Sequence, residues 1–240
     1  MMVYGVHAVA EALSSTCASV EQIIVRKQNL TPRIRKIVES ARALGIPVAF
    51  KPKNMVHPGN KRQRHSEISA RVLGIPYVSL ERILERHPQL LLIVDGVQDP
   101  NNLGALMRTA EAVGVGGILI PRRHSCPVNS TVVTASAGAA LHLQICRISN
   151  LSRSLEKLKK DGFWIVGLDP GGETTLDQIN ANLRLAVIVG GENRGLRRLV
   201  RQQCDFLVTL PMQGRLASLN LSVAAGILLY HIFLESRRRK

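Results

Sequence analysis

Five apolar stretches without alternation constrain the fold of this chain more than any other feature. The run LLLIVDGV, Leu90–Val97, carries a single polar side chain, Asp95. Similar runs lie at Gly117–Ile120, Phe163–Leu168, Leu185–Gly190 and Phe206–Leu210. A strand with one wet face alternates apolar and polar residues, so continuous runs predict strands covered on both faces. Helical spacing lies between them, as at Leu151, Leu155 and Leu158. Apolar strands alternating with helices predict an α/β domain with a mostly parallel sheet. Ligands of such sheets sit outside the carboxyl ends of the strands. The loops after Val94, Val189 and Leu210 are therefore the places to look for chemistry.

The first part of the chain reads as a smaller α/β unit of about 75 residues. Val6, Val9, Ala10 and Leu13 predict a helix, and Val20–Val25 a strand. Thr31-Pro32 supplies a cap and a first-turn proline for a second helix carrying Ile34, Ile37, Val38, Ala41 and Leu44, which Gly45 ends. Ile46–Phe50 is the next expected strand. Lys51–His65 then holds five Lys/Arg, two Pro and no acid, and predicts an exposed basic loop, either merely solvated or a grip for phosphate. The polar stretch SLERILERHPQ, Ser79–Gln89, is expected to bridge two domains. The boundaries are thus 1–78 for the first domain, 79–89 for a linker and 90–240 for the second.

The net charge is +15, and 23 of the 32 basic residues are Arg. Residues 1–90 hold 14 basic and 6 acidic groups and residues 91–240 hold 18 and 11, so the excess runs through both parts. Planar guanidinium forks suit phosphate, and a nucleic-acid partner is expected. Aromatics are only 3%, so no stacking platform for single strands is expected. No run of eighteen uncharged apolar residues predicts a membrane span. MMVYGVHAVAEAL lacks the basic region and apolar core of a secretory signal. Cys17, Cys126, Cys146 and Cys204 are scattered, which predicts neither disulfides nor a metal site and fits a reducing cytoplasm.

Three loops carry unusual groups. Asp99-Pro100-Asn101-Asn102 is a turn-and-cap sequence, and Arg108 follows early on the next helix, where the dipole disfavours a cation. A bound phosphate would compensate; a solvent-facing Arg or an ion pair with Asp95, Asp99 or Glu111 is the alternative. In VIVGGENRGLRR, Val187–Arg198, a buried strand ends in Gly190-Gly191, where a ligand can approach backbone. Glu192 beside it is a ligand contact, a cap or a partner of Arg194. The spacing does not match the dinucleotide fingerprint GxGxxG, which argues against a dehydrogenase. In LPMQGRLASLNLSVAAGILLY, Leu210–Tyr230, small and polar residues crowd the mouth of an apolar helix. Ser218 or Asn220 as helix cap explains only part of that.

Together DPNNLGALMRTA (Asp99–Ala110), IVGGENRGL (Ile188–Leu196) and the Leu210–Tyr230 stretch resemble, in order, the three signature motifs of the SpoU (TrmH-like) family of RNA ribose 2′-O-methyltransferases. YGVHAVAEAL near the start is similar to the small L30e-like domain that some members carry, which serves there to bind substrate RNA. His65-Ser66-Glu67 stands where such members have His-Gln-Gly. The resemblance implies a SPOUT-type second domain with a C-terminal trefoil knot. It implies S-adenosylmethionine as cofactor, with Gly190, Leu210 and Leu219 as its contacts, and Asn102, Arg108, Glu192, Ser218 and Asn220 as active-site residues. It implies no metal, a homodimer using the last helix, and a guanosine ribose in 23S ribosomal RNA as target. Transfer RNA as substrate, or a non-catalytic RNA-binding protein of the same fold, are the alternatives.

Overall fold

The structure is a computed structural model that describes residues 1–16, 18–26, 30–52, 66–192, 194–215 and 218–238. The expected basic loop, beyond its first two residues, lies outside the described residues. The chain forms two compact units. The first is Met1–Pro76 with Val128–His142, and the second is Tyr77–Pro127 with Leu143–Lys240.

The first unit begins with β1 (Met2–Tyr4), α1 (Val6–Ser14), β2 (Val20–Arg26), α2 (Pro32–Ala43), β3 (Val48–Lys51) and β4 (Ile68–Val72). Its sheet has the order β1-β4-β2-β3. β4 is antiparallel to β1 and β2, and β2 is parallel to β3. Thr31 caps α2, its side chain accepting from the Ile34 amide at 3.4 Å. Ile34, Ile37, Val38 and Ala41 are buried, as their spacing predicts. Leu44 is instead 60% exposed, because it sits beyond the last helical residue at the C-cap.

The second unit opens with α3 (Leu80–Leu84), β5 (Leu90–Asp95), α4 (Pro100–Ala112) and β6 (Gly117–Pro121). The chain then returns to the first unit as α5 (Ser130–Ala135), capped by Asn129 and packed on β1. His142, at the end of that excursion, meets Glu11 at 2.9 Å. Back in the second unit follow β7 (Ile145–Ile148), α6 (Leu151–Lys160), β8 (Trp164–Leu168), β9 (Leu185–Gly190), α7 (Arg198–Gln203), β10 (Phe206–Val208) and α8 (Leu221–Arg238).

The second sheet has six strands in the order β10-β8-β9-β5-β6-β7, and every neighbouring pair is parallel. All residues of β5, β6 and β9 are buried, which is why their sequences do not alternate. Leu151, Leu155 and Leu158 of α6 pack into the same core. So does α3: Ile83 is fully buried, and a Cβ on Gly117 would lie 2.7 Å from its Cγ2. Ser79–Gln89 is therefore built into the second unit, with Ser79 capping α3. A five-residue helix that buries only Leu80 and Ile83 is too short to show its period in the sequence.

α8 is apolar on two sides. Ala225, Leu228, Leu229 and Ile232 are buried, while Val223, Ile227, Tyr230 and Leu234 are exposed. Within the unit α8 packs on α4 and on β9. Among the described residues, no helix is long and apolar enough to cross a membrane.

Deleting the Ile83 side chain leaves a cavity at the contact between α3 and the sheet. Ile83→Ala is expected to cost about 2–5 kcal/mol of unfolding free energy in a denaturant titration. A loss near zero would show that α3 is not part of the folded second unit.

Candidate active site

The carboxyl ends of β8, β9 and β10 open into a cleft of about 300 Å³. Its walls come from Leu168–Pro170 after β8, Gly190–Glu192 after β9, Leu210 and Met212 after β10, and Ser218–Leu221 at the start of α8. This is where a parallel α/β sheet offers a ligand site. The size sits at the lower end of small-molecule pockets.

Backbone packs on backbone at the floor. A Cβ at Gly190 would come within 2.0 Å of the Gly195 carbonyl carbon, and one at Gly191 within 2.5 Å of the Gly96 oxygen. The Gly195 amide donates to the Gly191 carbonyl at 2.9 Å and closes the turn, with Gly195 at φ +60. Only glycine lets these segments approach so closely.

A hydrogen-bond network joins the three segments that carry the unusual residues. Asn102 donates through Nδ2 to Glu192 Oε1 at 3.0 Å. The amides of Gln98 and Asp99 also donate to the Glu192 carboxylate, each at 3.4 Å. Asn220 donates through Nδ2 to Asn102 Oδ1 at 3.1 Å. Asn220 Oδ1 in turn accepts from the Ser222 amide at 2.9 Å and the Ser222 hydroxyl at 2.6 Å, which caps α8. Asp99 caps α4, accepting from the Asn101 amide at 2.8 Å, with Pro100 in the first turn. Glu192 is thus bound to Asn102, and among the described residues it makes no ion pair with Arg194. Burial pushes its carboxyl upward, but the donated hydrogen bonds, Asn102 first, outweigh this and hold it below the ordinary range.

Of the residues singled out by sequence, Gly190, Glu192, Leu210, Ser218, Leu219 and Asn220 line the cleft. Asn102 joins them through its hydrogen bonds. Arg108 stands apart from the lining, on an exposed face of α4, and among the described residues it has no ion-pair or hydrogen-bond partner. Asp95, one candidate partner, is taken elsewhere. It is 3% exposed, and the Arg197 fork meets it through Nε at 3.0 Å and Nη2 at 2.5 Å. The one signal of this pair in the sequence is a lone carboxylate ending an apolar strand. Asp169 and Met212, also in the walls, carry no sequence signal. Among the described residues, no group of His, Cys, Asp or Glu is arranged to hold a metal.

Comparison with known proteins gives the site its context. The model of the SpoU rRNA methylase family matches residues 89–230. The chain belongs to this family. A second model, for the substrate-binding domain of RNA 2′-O ribose methyltransferases, matches residues 2–77. The SpoU-family chain is 36% identical over 236 residues to a protein of Bacillus subtilis (strain 168) named for the TrmH family of tRNA/rRNA methyltransferases, covering 96% of this chain and 94% of that one. In fold it matches the SpoU methyltransferase AviRb of Streptomyces viridochromogenes, solved in complex with AdoMet, with TM-score 0.84, 22% identity and coverage of 99% and 91%. It also matches an AdoMet-bound rRNA methyltransferase of Sinorhizobium meliloti, with TM-score 0.76, 23% identity and coverage of 99% and 87%. The protein is thus an RNA 2′-O-ribose methyltransferase of the SpoU/TrmH family, with an α/β SPOUT fold and an N-terminal substrate-binding domain.

In this SpoU-family site the lowered Glu192 pKa links the loops to pH. A carboxylate with a depressed folded pKa adds stability that is complete above its unfolded value of about 4.3 and is lost as pH falls through the folded value. Stability measured against pH is expected to drop on that acid limb, and Glu192→Gln to flatten the drop. An unchanged acid limb in the variant would disprove the assignment.

Proposed function

We propose that the cleft binds S-adenosylmethionine and that the protein methylates the ribose 2′-OH of a guanosine in 23S ribosomal RNA, working in the cytoplasm. The observation that carries this is the glycine-floored cleft rimmed by the Glu192–Asn102–Asn220 network. Backbone at Gly190, Leu210 and Leu219 would hold the cofactor, and the apolar walls at Leu168, Met212 and Ala224 suit a nucleoside. When bound, the cofactor supplies an electrophilic methyl group on a sulfonium.

The chain's own residues orient the acceptor. Asn102 and Asn220, already fixed to one another, hold the loops that face the ribose. Glu192 anchors them, and Ser218 offers a hydroxyl at the wall. A guanidinium has no lone pair with which to take a proton. Arg108, exposed and unpartnered among the described residues, therefore serves by holding the target phosphate or the oxygen that gains negative charge. The trefoil knot of SPOUT domains is part of this reading.

The exposed stripe Val223, Ile227, Tyr230 and Leu234 follows helical spacing and supports a homodimer through α8. Ile227→Glu with Tyr230→Glu is expected to turn a particle of twice the chain mass into a monomer in light scattering. A wild-type monomer at micromolar concentration would refute the dimer.

The reaction is tested with labelled S-adenosylmethionine offered to unmodified large-subunit RNA and to transfer RNA separately, followed by nucleoside analysis. Label is expected as 2′-O-methylguanosine in ribosomal RNA, and Arg108→Ala is expected to lower kcat about 10²–10³-fold. Label in transfer RNA alone would overturn the substrate. Cofactor binding without transfer to either RNA would overturn catalysis in favour of an RNA-binding role.

A further inference from the structure

Three more hollows continue the carboxyl edge of the second sheet away from the cleft. The first, of about 560 Å³, shares Gly191, Glu192 and Gly195 with the cleft. The second, of about 410 Å³, shares His124 and Arg197 with the first. The third, of about 590 Å³, shares Ser149 and Asn150 with the second. They form one groove that passes the ends of β9, β5 and β6 and reaches the edge strand β7.

The second and third hollows are basic, and in the first two Arg stand beside Asp95 and Glu192. Arg194 and Arg197 line the first, Arg123 and Arg198 the second, and Arg122, Arg147 and Arg153 the third. The acids in the groove are already engaged. Asp95 is held by Arg197, Glu81 by Lys157, and Glu192 by Asn102 and two amides. Among the described residues, the side chains of Arg122, Arg123, Arg153, Arg194 and Arg198 are exposed and make no ion pair or hydrogen bond. A row of uncompensated guanidinium groups attracts a polyanion, and its planar forks fit phosphate oxygens. Strand spacing of about 4.8 Å puts β7 about 14 Å from β9, the reach of a few nucleotides.

We propose that the RNA strand carrying the target ribose runs in this groove, with the phosphates flanking the target on Arg194, Arg198, Arg123, Arg122 and Arg153 out to β7. This rests on the cleft being the methyl-transfer site. The contacts set the direction and register of the strand and do not read its bases.

The test is a triple variant, Arg123→Ala with Arg153→Ala and Arg198→Ala, compared with wild type and with the same three positions changed to Lys. Binding of a labelled single-stranded RNA oligonucleotide of mixed sequence is followed by anisotropy over a salt series. Each lost phosphate contact removes about 0.7 from the slope of log affinity against log salt, so the Ala variant is expected to be shallower by about 2 and the Lys variant to keep the wild-type slope. S-adenosylmethionine affinity by calorimetry and the melting temperature are expected to stay unchanged, while KM for RNA rises about tenfold or more. A wild-type slope and KM in the Ala variant, with methyl transfer intact, would overturn the groove and leave the enzyme reading standing. A protein that transfers no methyl group would overturn the enzyme reading, and the slope would still decide the groove.

Discussion

The Glu192 carboxylate binds together three segments that are far apart in sequence. It accepts from the Asn102 side chain and from the amides of Gln98 and Asp99, and Asn102 accepts from Asn220 at the start of α8. Among the described residues, the loops after β5, after β9 and before α8 have no strand ladder to satisfy their polar groups beyond the single bridge between Gly191 and Gly195. Networks of this kind fix geometry when every member is satisfied and fail together when one is removed. The crowd of small polar residues at the mouth of an apolar helix is explained in this way. Asn220 caps α8 with its oxygen and reaches Asn102 with its nitrogen, so one side chain both ends a loop and joins it to the next.

Beneath the network, the loops are held by close approach and by charge. Gly190 against Gly195, and Gly191 against Gly96, leave no space for a side chain. The Asp95–Arg197 pair ties the end of β5 to the start of α7 across the same floor. Burying a carboxylate without a partner is costly, and removing Arg197 would leave Asp95 in that state. The cleft thus has a glycine backbone floor, polar side chains at Glu192, Ser218 and Asn220, and apolar walls such as Leu168, Leu210 and Met212. Its shape depends on contacts between segments and little on the shape of any single residue.

The parallel sheet was legible because β5, β6 and β9 are buried on both faces and their sequences show it directly. Thr31-Pro32 announced α2 by local capping chemistry alone. β4 was missed because Ile68, Ala70 and Val72 alternate with Ser69 and Arg71 over only five residues. α5 was missed because Ser130–Ala135 is short and rich in β-branched residues, and its helical state rests on the Asn129 cap and on packing against β1. Gly190, Gly191, Glu192, Ser218 and Asn220 stand out by the polar or glycine punctuation that ends each apolar run, whereas Leu210 and Leu219 are pointed to only by the resemblance to the SpoU family. The Asp95–Arg197 pair was not, since it joins residues 102 apart and nothing local to either announces the other. Arg108 was conspicuous in sequence as a cation in an early helical turn, yet its guanidinium lies outside the cleft lining.

The excursion of Val128–His142 into the first unit bears on how the chain assembles as it is made. The first unit is discontinuous in sequence, so Met1–Pro76 alone lacks the helix that packs on β1 and the His142 partner of Glu11. Domains emerging from the ribosome fold from the N-terminal side as soon as their cores are complete. Here that core is complete only after β5, α4 and β6 of the second unit have been synthesised. β1 and α1 therefore lack the cover of Val128–His142 until that segment has been made.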